Sequence, residues 1–582
     1  MQERQSAMSD VRPDMPGPVQ PQPNHTARDG IGPGRWALRG SGSRGRGWQG
    51  LALVIAALIA LPIAAVLWHL TLPAGGVWGQ LVETVLPLYI GNTLMLVVLV
   101  GGLTLAIGVP AGWLVAACDF PGRRWLEWAL MLPMAMPGYV IAYVYFDRLS
   151  YWGPVQGGLR AAFGWQRGDY WFPDLATIGG AAVLLGLVLY PYVYLLARVA
   201  FARQSARLMD AARALGCSPR EAFLRAALPV AWPAIAAGAA FVTMETLADY
   251  GTVLHLGVQT LSTGIFRTWF SRGAPVAAAQ LASLLLGLAA LAFWIERLVR
   301  GGRRFADDPG GRAGTIRRLP LRGVAALSAT AFCTLPVLLG FVLPAAELVR
   351  LSVIAGDPMW GPRFVRFALN SVAMASAAAL IVVVLGLVLA YARRLSPGGA
   401  TQVATGFAAF GYAMPGAVIA LGVLLPLAAF DHALNAAAQR LFGVSTGLVL
   451  TGSVAALLFA YSVRFLAIGL RSIEASFAKI PPGLDEAARS LGEGRFGTLW
   501  RVQVPLLRGG MLSAAIFVFA DTMKELPATL ILRPFNFDTL AIRTFRLASD
   551  GRLEQAATSA LVIVLVGLLP LVVLVRTMSR PD

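Results

Sequence analysis

The sequence predicts an all-α polytopic membrane protein of about twelve transmembrane helices, arranged as two repeated six-helix halves. Three observations carry this. Hydrophobic residues make up 57% of the 582-residue chain and charged residues only 13%, about half the charged share of a soluble domain. Apolar runs of about 20 residues recur, each enough to cross ~30 Å of hydrocarbon at ~1.5 Å per residue. Finally, segments of the first half return in the second at offsets of 276 to 278 residues.

In chain order, residues 1–50 are rich in Pro, Gly, Ser and Arg without apolar periodicity, and read as a disordered, basic, cytoplasmic tail. The run LALVIAALIALPIAAVLWHL that follows is longer than a signal-peptide core and lies behind a longer leader, so it reads as a retained first helix. The first half, 51–299, places helices near 51–70, 92–117, 126–147, 176–200, 228–254 and 274–299. RGGRRFADDPGGRAGTIRRLP, over 300–320, is polar, Gly-rich and basic, and reads as a cytoplasmic linker. The second half, 321–582, places helices near 321–349, 368–392, 403–430, 446–470, 503–530 and 556–578.

Charge orients the helices. Arg35, Arg39, Arg44 and Arg46 of the tail share one side with Arg123, Arg124, Arg198, Arg203, Arg393 and Arg394 in later loops. That side is the cytoplasm by the positive-inside rule, which leaves both termini inside. The first loop on the opposite side carries only Glu83, although Arg533, Arg543 and Arg546 sit in the last. The net charge of +18 is therefore dispersed among loops facing the bilayer surface, and no nucleic-acid partner is expected. Cys118, Cys217 and Cys333 form no CxxC pair or disulfide framework, and four scattered His give no metal-ligand spacing, so no metal site is expected.

The repeat is clearest in three places. MDAARALGCSPREAFLRAALPV (Met209–Val230) lies over DEAARSLGEGRFGTLWRVQVPL (Asp485–Leu506), matching Ala211/Ala487, Ala212/Ala488, Leu215/Leu491, Gly216/Gly492 and Pro229/Pro505. LPMAMPGYVIA (Leu132–Ala142) matches FGYAMPGAVIA (Phe410–Ala420). FVTMETLADYGTV (Phe241–Val253) matches FVFADTMKELPAT (Phe517–Thr529), setting Glu245 over Asp521 and Asp249 over Glu525. A duplication in parallel topology gives each half an equivalent wall of one central pathway, a recurrent plan among transporters.

The first match is a polar loop between the fourth and fifth helices of each half, on the cytoplasmic side. In the first copy a helix stops at Gly216, a residue suited to a left-handed turn. Ser218, Pro219 and Glu221 then spell a capping box opening a second helix. The second copy lacks that box and is expected to bend more loosely. One such loop could be an amphipathic hairpin on the headgroups. Two at equivalent positions are better explained as docking sites for a partner with matched sites.

An acid before Ala-Ala, a Gly four residues after the pair, and a Pro further on resembles the cytoplasmic signature of permease subunits of binding-protein-dependent ABC importers. Asp210, Ala211, Ala212 and Gly216 carry it in the first half, with Asp in place of Glu; Glu486, Ala487, Ala488 and Gly492 carry it in the second. The resemblance implies the type I importer permease fold and a bacterial inner-membrane location. It implies a cytoplasmic ATPase dimer gripping both loops and a periplasmic binding protein delivering cargo. A P-loop needs Gly-Lys-Ser/Thr. The only lysines are Lys479 and Lys524, preceded by Ala478 and Met523, so ATP and Mg²⁺ belong to a partner subunit and no cofactor is expected on this chain, which is no enzyme.

The fused layout, with METLADYGTV, FAKIPPGLDEAARSLG and DTMKELPATLILRPFNFDTLA, resembles iron(III) permeases of this superfamily, which implies ferric ion as cargo; fused permeases for thiamine or phosphonate compounds share the architecture. Glu245, Asp249, Asp521, Lys524 and Glu525 are costly at membrane depth and mark a candidate translocation pathway. Acid oxygens suit a hard cation, while an internal ion pair of Lys524 with Asp521 or Glu525 is the structural alternative. In the two AMPG segments Met136 and Met414 are packing residues rather than ligands for ferric ion, and the Pro-Gly pair breaks a membrane helix. A major-facilitator-type secondary transporter is the rival, since CDFPGRR (Cys118–Arg124) partly matches a loop of that class; it leaves the two acid-Ala-Ala loops unexplained.

Overall fold

In hydrocarbon every backbone N–H and C=O must be satisfied within its own segment, so apolar runs of this length become helices. The computed structural model describes residues 46–166, 168–203, 214–300, 318–354 and 361–578. Among them eleven helices are long and apolar enough to cross a membrane. They become twelve when Arg123–Ala135 and Gly138–Phe163, bent by 89°, count as one span. In order, the first half holds Arg46–Thr71, Leu86–Ala117, the bent third span, Ile178–Ala202, Phe223–Ala248 and Pro275–Val299. The second holds Val324–Ile354, Pro362–Leu395, Gly416–Phe442, Val454–Phe477, Arg495–Met523 and Leu553–Val573. The expected all-α architecture of two six-helix halves is the one observed.

Several ends move. The ninth span continues to Phe442 and the tenth begins only at Val454, instead of near 430 and 446. Between them Gly443, Gly447 and Gly452 all adopt left-handed backbone, which no helix accommodates, and the Ser453 side chain caps the tenth span by accepting from Ala456 N. The fifth and eleventh spans stop at Ala248 and Met523, short of 254 and 530. Those early stops create the candidate site.

Small residues set the packing. The second span lies on the fourth, where a Cβ on Gly108 would stand 2.8 Å from Val193 Cβ; the eighth lies on the tenth, where one on Gly386 would stand 3.2 Å from Leu470 N. Close backbone approach through glycine is how helices associate in lipid, where no hydrophobic drive operates.

The halves interlock. The first span packs on the ninth, so that a side chain on Gly422 would meet the Pro62 carbonyl at 2.4 Å. It is also tied to the sixth, where Ser283 Oγ donates to Val66 O at 3.0 Å and Gln280 Nε2 to Leu72 O at 2.9 Å. The seventh span makes the reciprocal move onto the third: Tyr145 Oη donates to Leu339 O at 2.7 Å, and Arg148 pairs with Glu347. Gly47–Asp582 accordingly forms one compact unit; residues 1–45 and most of the 300–320 linker lie outside the described residues.

Candidate functional site

Pro137 and Pro415 lack the N–H that an ongoing helix needs and push the preceding residue out of the helical region. Met136 and Met414 are accordingly extended, at ψ 119° and 128°, and the helices restart at Gly138 and Gly416. Both methionines are buried in the core. Opposite these breaks lie those of the fifth and eleventh spans, after which short helices Gly251–His255 and Pro527–Leu532 follow.

A broken helix in a membrane exposes N–H groups that need partners. Asp249 and Glu525, equivalent in the repeat, supply them. Asp249 Oδ1 accepts from Val253 N at 3.2 Å and Oδ2 from the Thr252 hydroxyl at 2.8 Å. Glu525 accepts from Ala528 N at 3.0 Å, Thr529 N at 3.1 Å and the Thr529 hydroxyl at 2.7 Å. Two of the expected pathway acids are thus also helix caps.

All five residues singled out for the pathway, Glu245, Asp249, Asp521, Lys524 and Glu525, line a single cavity of about 120 Å³ where the two halves meet. Lys524 Nζ lies 2.8 Å from Asp521 Oδ1, whereas the cation on Glu525 is Arg464, whose Nη1 donates at 3.0 Å. Glu245 accepts from the Tyr412 hydroxyl of the other half at 2.8 Å. The wall carries four carboxylates against two cations, and both cations belong to the second half. Val188 and Ala248 line the cavity at the positions where the repeat puts Arg464 and Lys524. Among the described residues no three His, Cys, Asp or Glu side chains converge on a metal position.

Arg464, Tyr412 and Tyr139 escaped the sequence reading. An Arg in the middle of the apolar run Val454–Phe477 was itself a signal, since intramembrane cations pair with something. The two tyrosines flank the AMPG motifs, and nothing in their spacing marks them.

The polar loops sit at one end of the bundle. Asp210, Ala211 and Ala212 lie outside the described residues. Gly216 and Gly492 both take left-handed backbone, φ +84° and +86°. The first elbow has its capping box: Glu221 accepts from Ser218 N at 3.0 Å and Glu221 N donates to Ser218 Oγ at 3.3 Å. The Ser218 N–H and the Ser218 hydroxyl, which donates at 2.9 Å, hold the Glu221 carboxyl below its ordinary range. The second elbow is not looser, contrary to expectation. Asp485, at the start of helix Gly483–Ser490, bonds Arg394 Nε at 2.7 Å and Gln503 Nε2 at 2.7 Å, and Arg394 also donates to the carbonyls of Phe477 and Ile480. An ion pair replaces the capping box. Glu486 and Ala487 are exposed and Ala488 is buried. Leu215 and Leu491, equivalent in the repeat, are each 85% exposed at the elbow tips.

Residues 108–304 match the family model described as "Binding-protein-dependent transport system inner membrane component". The chain is similar along most of its length to the Fe(3+)-transport system permease protein FbpB 2 of Haemophilus influenzae, 25% identical over 83% of this chain and 89% of the relative. It is also similar to the Ferric transport system permease protein FbpB of Actinobacillus pleuropneumoniae, 24% identical over 75% of this chain and 63% of the relative. The Molybdenum transport system permease protein ModB of Escherichia coli aligns at 25% identity with 34% of this chain and 87% of itself. The class so defined is the transmembrane permease component of a binding-protein-dependent ABC importer, a multi-pass inner-membrane protein that is not itself an ATPase. Such a component binds no cofactor and works with a separate ATPase and a binding protein.

Proposed function

We propose that the chain moves ferric ion, delivered by a periplasmic binding protein, into the cytoplasm, where both its termini lie. The observation that carries this is the central cavity, formed by the broken helices of both halves and walled by four carboxylates against two cations. Carboxylate oxygen is the ligand type a hard cation accepts. The same wall repels an oxyanion, which separates this reading from molybdate, the cargo named for one relative. Two relatives similar along most of the chain are named for iron, while a third of like coverage, a probable ABC transporter permease of Sinorhizobium fredii, names no cargo.

In this reading the elbows Asp210–Gly216 and Glu486–Gly492 dock in an ATPase dimer. Exposed Glu486 offers a carboxylate, and the matched Leu215 and Leu491 offer apolar tips. ATPase closure then moves the elbows, the fifth and eleventh spans that follow them, and with those spans the capped breaks around the cavity. Uptake of radiolabelled ferric ion, molybdate, a phosphonate and thiamine in a strain deleted for this chain tests the cargo. Restoration of iron uptake alone supports it, and restoration of another uptake without iron refutes it.

A further inference from the structure

We infer that Lys524 is a tethered counter-cation: its ammonium holds the place of the cargo in the empty cavity, withdraws into a side chamber when the ion arrives, and returns to displace it; this rests on ferric ion being the cargo. Two ion pairs flank the break of the eleventh span, and they are not alike. Glu525 is buried and takes three capping bonds besides Arg464, so that pair is committed to holding the break. The Asp521 and Lys524 side chains are 21% and 25% exposed and face the cavity, and Asp521 is the one acid within ion-pair distance of Lys524 among the described residues. A guanidinium fork locked by its bonds stays in place, whereas an ammonium on a flexible four-carbon stem can change partners.

Its position is that of a cation between acids. Asp521 and Glu245 are equivalent in the repeat, one from each half, and the Lys524 charge acts on both. Lys524 ends the helix Val504–Met523, where the helix dipole also favours positive charge. The first half has Ala248 at the equivalent position and brings no ammonium of its own.

The charge also has somewhere to go. Met134, Asp521 and Lys524 line the central cavity and, in addition, a smaller one of about 30 Å³. This chamber lies between the break of the third span and the eleventh and twelfth spans, at Phe517, Gly567 and Pro570. A space of roughly 10–15 Å³ admits one water, so the chamber takes an ammonium with a water beside it. Ala135 is on its wall, and the Ala135 carbonyl lies 2.7 Å from where a Gly567 Cβ would stand. Carbonyls at the end of a broken helix accept from a cation. A trivalent ion entering the cavity repels the ammonium strongly in a medium of low dielectric, and the chamber receives it. Asp521 and Glu245 are then left to face the ion with carboxylate oxygen, the donor type a hard cation takes.

The test uses the complete transporter, permease with ATPase and binding protein, in proteoliposomes fed with iron-loaded binding protein. Iron uptake, ATP hydrolysis and the iron left on the complex after extraction and washing are measured together. Lys524→Met removes the charge that returns, and is expected to keep iron on the washed complex where the wild type keeps none. Iron moved per ATP should fall by roughly tenfold, the lower end of what altering a group beside a metal ligand costs. Lys524→Arg keeps the ion pair and with it the fold, but its larger planar head does not fit the chamber. It should lower uptake to a similar degree without retention, whereas a group that merely neutralised Asp521 would be replaced by Arg without loss. That variant decides the matter even where Lys524→Met does not assemble. Wild-type uptake in either variant, or loss in a monodisperse Lys524→Met complex without retained iron, overturns the inference while the ferric reading stands. A wild-type transporter that moves no iron overturns both.

Discussion

At the scale of single residues, the buried pair Arg464–Glu525 decides most. Glu525 is 4% exposed and bridges three elements: the tenth span through Arg464, its own break, and the helix Pro527–Leu532 that it caps. Removing one partner of a buried pair leaves the other charged without compensation, at a cost of about 3–5 kcal/mol. Arg464→Met should therefore lower the thermal midpoint of the purified permease sharply. Adding Glu525→Gln should recover part of the loss, because the neutral amide no longer needs the cation and its one oxygen can still accept on either the Ala528 or the Thr529 side. Equal midpoints for the single and double variants would show that the ion pair does not matter. Sequence exposed half of this arrangement. Asp521, Lys524 and Glu525 stood out as charges in an apolar context, and of the two pairings their spacing offered Lys524, the one with Asp521 forms; the cation on Glu525 was not legible. Lys524 turns to Asp521, one helical turn back, and Glu525 reaches a helix about sixty residues away in sequence. No local pattern encodes such a contact.

At the scale of elements, the breaks were legible because proline and glycine act locally, and the AMPG segments end helices where their chemistry requires. The second elbow was not, because what stiffens it is long-range. Arg394, at the end of the eighth span, gathers Asp485 and the carbonyls that close the tenth span. The first half has Cys118 and Met209 at the equivalent positions, and neither can form that ion pair. Arg394→Ala should release helix Gly483–Ser490 from the bundle. Cargo moved per ATP should fall several-fold while the ATPase still co-purifies, as a comparison of hydrolysis with uptake would reveal. On the proposed reading, docking uses the exposed face that carries Glu486. Glu486→Arg should weaken ATPase association and abolish uptake with membrane insertion intact, and Asp210→Arg should do so less severely. Co-purification of a double Arg variant with its ATPase, at normal transport, removes the docking assignment.

At the scale of the whole molecule, the repeat in the sequence announces two halves but says nothing of how they are held together. Each half gives its first span to the other: the first lies on the ninth, and the seventh lies on the third and fourth, where a Cβ on Gly340 would meet the Leu187 carbonyl at 2.7 Å. The cavity likewise takes one wall from each half, and the Glu245–Tyr412 bond crosses between them. A half on its own would leave its third span without the helix that covers it, and the first half alone would leave Arg148 without Glu347. It would also leave close-approach glycines such as Gly422 or Gly340 facing nothing. Cutting the chain inside 301–317 removes no contact among the described residues. Residues 1–300 and 318–582 produced from separate genes in one cell should therefore assemble and restore uptake, whereas either fragment alone should be degraded or aggregate. The measurement is the yield of monodisperse protein from each fragment alone and from the pair. A stable, monodisperse single half would mean that the exchanged first spans contribute little to what holds each six-helix unit together.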